Sequence, residues 1–309
     1  MKPYFSIIIP LFNKENFIKK TIESVLNQSF TYFELLIIDD GSTDNSLKKV
    51  SEFDDERIKL FTKKNEGVAI ARNFGIQKAI STYICFLDAD DIWNVDFLKT
   101  IYQYSIQFPS QEVFSTAKEI ETKNTVFKPQ YSIKKTSDFE FVNFFQASQK
   151  ECILWTSSVV IHKKVFEKVG VFDTNISKGE DTEMWIRIGL NYQILFIWKA
   201  LSIHVYDAKS VSRNSNYYFN NYTFNKYFEL EKTNLDLKKF MDSNRFSAAI
   251  KSKLKGKNSN FKKLISEISW KHLPLKKKII LKVPRFLLLF LIYLKNNLTN
   301  FGLGNSVFK

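Results

Sequence analysis

The sequence predicts an α/β fold with a mixed, mainly parallel sheet flanked by helices, followed by a helical and basic C-terminal extension. Short apolar runs alternate with helix-length amphipathic runs in the first part of the chain, as they do in βαβ units. Acidic turns follow several of these apolar runs, which predicts polar groups at one edge of the sheet. With 309 residues, 44% of them hydrophobic, the chain can bury an ordinary core.

The first elements form a regular repeat. Apolar and β-branched runs predict strands over residues 5–10, 34–38, 58–61 and 83–87. Amphipathic spacing predicts helices over residues 14–27 and 67–80, and another helix begins at Ser42 or Thr43 and runs toward residue 53. The carboxyl ends of these strands are therefore expected to face one ligand-binding edge.

The alternation becomes less regular after residue 109. Strands are predicted over residues 112–117, 125–128 and 157–161, with two short strands between residues 193 and 205. Helices are predicted over residues 139–146, 163–169 and 179–190. From about residue 217 the spacing is helical and no further strand pattern occurs. We therefore expect one domain over residues 1–212 and a helical region over residues 213–309.

The net charge of +14 is concentrated in the C-terminal third. Residues 1–210 contain 26 Lys and Arg against 27 Asp and Glu, whereas residues 211–309 contain 20 against 5. A nucleic-acid-binding domain would be expected to carry its basic surface on the folded core, so this class is disfavoured. The two cysteines, Cys85 and Cys152, argue against a disulfide framework or a cysteine zinc site, and no signal peptide is apparent, so a cytoplasmic location is expected.

Residues 276–295 are predicted to form one basic, apolar helix. Lys278, Lys282 and Arg285 would share a face, and a nine-residue apolar run follows at 286–294. A helix needs about 20 apolar residues to cross a bilayer, so this run is too short to span one. Two interpretations remain: a helix lying on an anionic membrane surface, or a terminal helix docked on the core with solvated lysines.

Three acidic clusters are the strongest chemical signal. Two follow predicted strands and the third opens a predicted helix: Asp39-Asp40, Asp88-Ala89-Asp90-Asp91 and Glu180-Asp181. Carboxylates gathered at one sheet edge raise one another's pKa unless a cation neutralises them. Mg²⁺ and Mn²⁺ favour oxygen ligands and share their coordination with substrate phosphates, so these clusters predict a metal-assisted phosphate site.

Five motifs occur in a fixed order along residues 3–212. They are SIIIPLFN at 6–13, LIIDDGSTD at 36–44, NEG with ARN at 65–73, FLDADD at 86–91, and GVFD leading to GED at 170–181. In order and spacing they resemble glycosyltransferase family 2. The resemblance implies a GT-A (Rossmann-like) catalytic domain, Mn²⁺ or Mg²⁺ as cofactor, and inverting transfer of a hexose-type sugar from a nucleotide-diphosphate donor such as a UDP-sugar.

The same resemblance assigns donor-binding roles to four residues. Pro10 and Asp40 would contact the nucleobase, with Asp40 accepting a hydrogen bond. Arg72 would hold the nucleotide, and Asp88 would accept a hydrogen bond from a ribose hydroxyl. Ordinary structural roles remain open for two of them: Asp40 could cap the helix that starts at Ser42, and Arg72 could pair with a carboxylate on its own helix.

The resemblance also assigns the reaction centre. Asp90, in the DXD motif, would ligate the metal, and Asp181 would be the general base. His204 could complete the metal shell, or it could be a structural histidine. Asp91 is better interpreted as the cap of a helix starting near residue 94. Glu180 is expected to orient Asp181 or raise its pKa, although both acids could simply complement a helix dipole.

The sequence constrains the identity of the acceptor and the alternative functions less than it constrains the donor site. Residues 155–158 could line an acceptor pocket or pack in the core. The basic C-terminal region fits a glycan or polyprenyl-linked acceptor at the inner face of the cytoplasmic membrane, as in surface polysaccharide synthesis. Nucleic acid is not an expected partner. A sugar nucleotidyltransferase would have a glycine-rich loop at residues 11–16, which is absent. An inactive scaffold is disfavoured because every expected carboxylate is present.

Overall fold

The computed structural model describes residues 2–207 and 221–300, with side chains described for residues 2–207 and 224–294. These residues form a mixed sheet with helices on both faces, continued by a group of helices. The predicted domain boundary between residues 212 and 213 lies outside the described residues, so it stays a prediction.

The N-terminal elements follow the predicted repeat. The strands are β1 (Phe5–Leu11), β2 (Phe33–Asp39), β3 (Ile58–Thr62), β4 (Tyr83–Phe86) and β5 (Ile92–Trp93). The helices are α1 (Ile18–Leu26), α2 (Ser46–Val50), α3 (Val68–Lys78) and α4 (Phe97–Gln107). The helix expected from Ser42 or Thr43 starts later, at Ser46, because an acidic turn occupies the residues before it.

The next segment differs from prediction at two places. Its strands are β6 (Val113–Glu121), β7 (Val126–Phe127), β8 (Phe139–Val142), β9 (Val159–His162) and β10 (Ile194–His204), and its helices are α5 (Phe144–Ala147), α6 (Lys164–Val169) and α7 (Glu180–Asn191). The helix predicted over residues 139–146 is wrong, because β8 pairs with β10 and Asn143 then caps the short helix α5. The two strands predicted between residues 193 and 205 form one strand, which contains register shifts.

The sheet has the strand order β3-β2-β1-β4-β9-β6-β10-β5, with β7 beside β6 and β8 beside β10. β1 to β4 pair in parallel, whereas β9 is antiparallel to both β4 and β6, and β10 returns parallel to β6. The expected mixed, mainly parallel sheet is therefore confirmed. Alternate strand residues point into separate buried clusters on the two faces, as pleating requires.

The C-terminal helices share one of those clusters. They are α8 (Asn221–Tyr227), α9 (Leu230–Thr233), α10 (Leu235–Leu254), α11 (Asn258–Ser266), α12 (Leu275–Lys282) and α13 (Arg285–Asn300). Phe224, Phe240 and Leu264 lie in the same buried cluster as Phe144 and Met184 of the sheet-containing part. Burial of this shared apolar surface stabilises both parts together.

The helix predicted over residues 276–295 is interrupted. Pro284 separates α12 from α13, since proline lacks the N–H that a continuous helix needs at that position. Lys282 and Arg285 therefore belong to different helices, and the predicted single basic face is wrong. Within residues 2–207 and 221–300, no helix combines the length and the apolar character needed to cross a bilayer.

Candidate active site

A cleft of about 480 Å³ opens at the carboxyl edge of the sheet. All seven residues predicted for the site line it: Pro10, Asp40, Arg72, Asp88, Asp90, Asp181 and His204. The cleft is also lined by residues for which the sequence predicts no direct contact with the donor, among them Lys14, Trp155 and Glu180. Residues distant in sequence are thus brought to one surface, as the acidic clusters predicted.

Strand direction explains this convergence. β1 pairs in parallel with β2 and β4, so Pro10, Asp40 and Asp88 leave the sheet at the same edge. β9 runs the opposite way, so the segment leading into it brings Trp155 to that edge. β10 runs parallel to β6 and ends there at His204.

Asp40 is buried and holds the loop that precedes α3. Its carboxylate accepts hydrogen bonds from Lys63 Nζ at 2.6 Å, Glu66 N at 3.0 Å and Gly67 N at 2.8 Å. The alternative that Asp40 caps the helix after Ser42 is therefore wrong, because its partners belong to the next βα connection. Asp40 thereby fixes the wall of the cleft on that side.

The turn after β2 depends on a glycine. Asp39 accepts hydrogen bonds from the backbone N–H groups of Gly41 and Ser42, which closes the turn. Gly41 has φ of +78°, and a Cβ there would lie 2.9 Å from the backbone nitrogen of Asn65. A side chain at position 41 would therefore strain the backbone and push away the loop that Asp40 holds.

Arg72 connects the two halves of the cleft. It is buried, and it donates to Asp88 Oδ1 at 2.9 Å and to Glu180 Oε1 at 2.8 Å. The alternative that it pairs within its own helix is wrong, since these carboxylates lie on other elements. Its Nε is buried and has no hydrogen-bond partner among the described residues.

The contact with Arg72 also affects the pKa of Glu180. Burial and the neighbouring Asp181 raise the pKa of Glu180, while the Arg72 guanidinium opposes that rise. The arrangement keeps Glu180 in place beside Asp181, where it can orient the first turn of α7. Asp181 itself lines the cleft and accepts a hydrogen bond from the Thr182 N–H at 2.6 Å.

The helix α7 that carries Asp181 is anchored by the C-terminal region. Glu183 is fully buried and accepts hydrogen bonds from Lys226 Nζ at 2.6 Å and from the Tyr227 hydroxyl at 2.7 Å, both on α8. Because buried carboxylates depend on such partners, α8 fixes the position of α7. The C-terminal helices thus contribute to the geometry of the site without lining it.

The DXD segment contains two carboxylates in different surroundings. Burial, with Asp88 and Asp207 adding repulsion, raises the pKa of Asp90, although Lys14 opposes the rise with its ammonium 2.5 Å from Asp90 Oδ2. Asp91 is fully buried, and burial together with Asp88 and Asp90 raises its pKa well above the usual range.

The interpretation of Asp91 as a helix cap is wrong. It accepts hydrogen bonds from Ser157 Oγ at 2.6 Å and from Val205 N at 3.2 Å, and α4 begins only at Phe97. Asp91 therefore ties together the segments that lead into β9 and out of β10. Since these segments carry Trp155 and His204, Asp91 helps to shape the cleft.

His204 and Trp155 form one wall of the cleft. Their rings meet edge to face with centroids 5.2 Å apart, and His204 Nδ1 lies 3.5 Å from Asp91 Oδ1. The Lys118 ammonium also lies near Trp155, 4.7 Å from its ring centroid. An indole held in this way presents a fixed aromatic ring at the edge of the cleft.

The residues present fit a divalent cation bound together with a substrate. No group of three His, Cys, Asp or Glu side chains arranged to hold a metal occurs among the residues whose side chains are described. The cleft nevertheless offers the Asp90 carboxylate and the His204 imidazole, and Mg²⁺ or Mn²⁺ takes one or two such ligands when phosphates supply the rest. A metal bound here would depend on the substrate for much of its coordination.

Two contributors to the site were missed by sequence reasoning. The sequence pattern places Lys14 in a loop without glycine and predicts no role for Asp207. Their contact joins residues 193 positions apart, so no local pattern could reveal it. A lysine directly after the first strand motif was the available signal.

Comparison with known proteins gives three results. The family described as Glycosyl transferase family 2 matches residues 6–170. An uncharacterized glycosyltransferase of Rickettsia felis is 38% identical over 198 residues, which are 64% of this chain and 32% of the relative. A UDP-Glc:alpha-D-GlcNAc-diphosphoundecaprenol beta-1,3-glucosyltransferase of Escherichia coli is 49% identical over 95 residues, 30% of this chain and 38% of the relative.

The fold also resembles solved structures. S. aureus TarS residues 1–349 in complex with UDP-GlcNAc align with a TM-score of 0.62 at 21% identity, covering 74% of this chain and 65% of that one. This similarity confirms the GT-A type of the fold. The chain spans about a third of the length of the first curated relatives that it matches.

Proposed function

Because the chain belongs to glycosyl transferase family 2, we propose that it transfers a sugar from a UDP-linked donor onto a glycan or polyprenyl-linked acceptor, with inversion at the anomeric carbon. The observation that carries the proposal is the single cleft lined by Asp40, Arg72, Asp88, Asp90 and Asp181. The family assignment and the loop without glycine after β1 favour this function over a sugar nucleotidyltransferase. The TarS structures with UDP-GlcNAc and UDP support the choice of nucleotide.

The proposed step assigns each group one task. Asp40 and the end of β1 hold the nucleobase side, and Asp88 and Arg72 hold the ribose and phosphate side. The acceptor oxygen attacks the anomeric carbon from the face opposite the leaving group. The bond from that carbon to the diphosphate breaks, its electron pair stays on the diphosphate oxygen, and the hydroxyl proton passes to Asp181. A bound Mn²⁺ or Mg²⁺, held by Asp90 and His204, would supply Lewis-acid stabilisation to the departing diphosphate.

A panel of donors tests the function directly. Purified protein is incubated with UDP- and GDP-sugars, Mn²⁺ and a polyprenyl-diphosphate-linked sugar, and the release of free nucleoside diphosphate is measured together with the mass of the acceptor. We expect UDP release that depends on the acceptor and an increase of one sugar in the acceptor mass. Release of pyrophosphate from a nucleoside triphosphate and a sugar phosphate, without acceptor glycosylation, would instead establish a nucleotidyltransferase.

Asp90→Ala should weaken metal-dependent donor binding. Because the variant removes a carboxylate proposed to ligate the cation, we expect UDP affinity in the presence of Mn²⁺ to fall by about 10–100-fold. Affinity measured with EDTA should change by less than about threefold, since the remaining contacts do not use the metal. Asp54→Ala, which removes an exposed carboxylate outside the cleft, is the matched control. Equal losses with and without Mn²⁺ would contradict the assignment of Asp90.

The proposed location is the inner face of the cytoplasmic membrane, where polyprenyl-linked sugars are available as acceptors. The name of the Escherichia coli relative describes a diphosphoundecaprenol-linked acceptor, which supports this class. Helix α13 presents an apolar surface, since Phe286 is 75% exposed and Phe290 54% exposed. The exposed Lys276, Lys282 and Arg285 lie nearby in sequence and would face anionic headgroups.

Phe286→Glu together with Phe290→Glu should detach the protein from anionic membranes. Each phenylalanine would contribute apolar burial in the headgroup region, so we expect binding to phosphatidylglycerol-containing vesicles to weaken by at least about tenfold. The control is Ile106→Glu together with Val126→Glu, which changes two residues that are 59% and 55% exposed on other elements. Vesicle cosedimentation measures the membrane binding of both double variants. Equal binding by the two double variants would disprove a role for α13.

A further inference from the structure

The Lys14 ammonium contacts Asp90, the carboxylate that is proposed to bind the metal ion. Its ammonium lies 2.5 Å from Asp90 Oδ2 and 2.7 Å from Asp207 Oδ2, and it lines the cleft. The backbone N–H of Lys14 bonds to Ser46 Oγ at 2.8 Å, which fixes the start of this side chain at the end of β1. The carboxylate proposed to hold the metal is therefore already neutralised by a cation of the chain itself.

Three other carboxylates of the cleft, those of Asp40, Asp88 and Glu180, have less mobile partners. Asp40 is paired with Lys63 and with two backbone N–H groups, and Asp88 shares the buried Arg72 with Glu180. A planar guanidinium held between two carboxylates has little freedom to move.

Lys14 differs from Arg72 in two respects. Its side chain is 22% exposed, and the ammonium sits on a flexible four-carbon stem that reaches into the cleft. Such a group can exchange one anionic partner for another by rotation about its side-chain bonds.

A divalent cation and the Lys14 ammonium compete for the same oxygen. Mg²⁺ binds oxygen ligands at about 2.0–2.1 Å, so a cation held by Asp90 would lie close to the Lys14 ammonium and repel it. An ammonium is a suitable ligand for phosphate oxygens, which the proposed donor would bring to this end of the cleft.

We propose that Lys14 is the resting counter-ion of Asp90 and that its ammonium moves to the donor diphosphate when a divalent cation binds Asp90. The inference rests on the proposed function for the identity of the diphosphate, but its metal-binding part stands on the contacts of Lys14 alone. Lys14 then has a role with and without substrate. In the cleft without substrate it reduces the repulsion between Asp90 and Asp207, and with the donor bound it contacts the diphosphate.

Two binding measurements on Lys14→Met test the exchange without using turnover. Mn²⁺ affinity without nucleotide, measured by electron paramagnetic resonance, should rise by about tenfold because the competing ammonium is gone. UDP affinity in the presence of Mn²⁺, measured by calorimetry, should fall by about 5–20-fold once the free Mn²⁺ is saturating, because a phosphate contact is lost. Lys14→Arg keeps a cation and should retain the weaker Mn²⁺ binding of the wild type.

The matched control is Lys19→Met, which removes a lysine of α1 that is 50% exposed and pairs with Glu52 away from the cleft. Circular dichroism verifies the folding of each variant, and Lys14→Gln replaces Lys14→Met if the latter fails to fold. Unchanged or weaker Mn²⁺ binding by the neutral variant would overturn the counter-ion role, and unchanged UDP binding would overturn the phosphate contact. If no donor in the panel supports transfer while Mn²⁺ binding changes as expected, the proposed function fails but the counter-ion role stands.

Discussion

Asp181→Asn should reduce sugar transfer by about 10²–10⁴-fold while UDP affinity changes by less than about twofold, because a general base acts on the acceptor proton and not on the donor. Asparagine keeps the size of the side chain but cannot accept the proton. The loss should appear in kcat, measured by UDP release at saturating donor and acceptor. The carboxylate belongs to the first turn of α7 and lines the same cleft as Asp40 and Asp88.

The competing explanation for Asp181 is a helix dipole. If the acid only complemented the N-terminus of α7, its removal would cost about 0.3–1 kcal/mol of stability and little activity. Asp236→Asn is the matched control, since Asp236 also lies in the first turn of a helix, α10, but outside the cleft. A variant of Asp181 that keeps more than about a tenth of wild-type turnover would exclude it as the base.

The position of the site could be predicted because strand direction is encoded locally. Asp40 and Asp88 each follow a short apolar run, and runs linked by helices predict parallel strands whose carboxyl ends share an edge. The register of β1 with β2 and β4 bears this out. The sequence pattern therefore predicted where these carboxylates lie, while their donor-binding roles stay predictions.

The partners of those carboxylates could not be predicted. Sequence reasoning required an external cation to relieve repulsion at the sheet edge, but Lys63, Arg72 and Lys14 supply positive charge from within the chain. Arg72 and Glu180 are 108 positions apart, and pairing at that distance follows from the tertiary fold alone. The motif DADD likewise gave no sign that Asp91 would be buried while Asp90 faces the cleft.

Local patterns failed where tertiary contacts outweighed spacing. The phenylalanines at 139–146 fit helical spacing and strand alternation alike, and pairing with β10 selects a strand for the first half. The basic C-terminal third is predicted as an extension of the sheet-containing domain, yet many of its apolar residues join the buried cluster on one face of the sheet. Alternation along a single segment cannot reveal which distant surface will cover it.

The clearest case of hidden burial is Arg245 of α10, which is fully buried. Its guanidinium donates to both carboxylate oxygens of Glu231 at 2.6 Å and to Glu267 Oε2 at 3.1 Å. The pair connects α10 to α9 and to the segment after α11. Because Glu231 is also buried, Arg245→Met would leave a carboxylate in the interior without its main partner, with Lys238 3.3 Å away as the remaining cation.

We expect Arg245→Met to lower the free energy of unfolding by about 3–5 kcal/mol, the usual cost of breaking a buried ion pair on one side. Urea denaturation followed by circular dichroism measures this change. The double variant Arg245→Met with Glu231→Leu should recover most of the loss, because the buried Glu231 carboxylate is then absent and the buried Asp242 keeps Lys238 and His272 as partners. Arg57→Met, which breaks a partly exposed pair with Asp55, should cost about 1 kcal/mol or less. If the double variant is no more stable than the single one, the loss comes from packing around α10 and not from the uncompensated charge of Glu231.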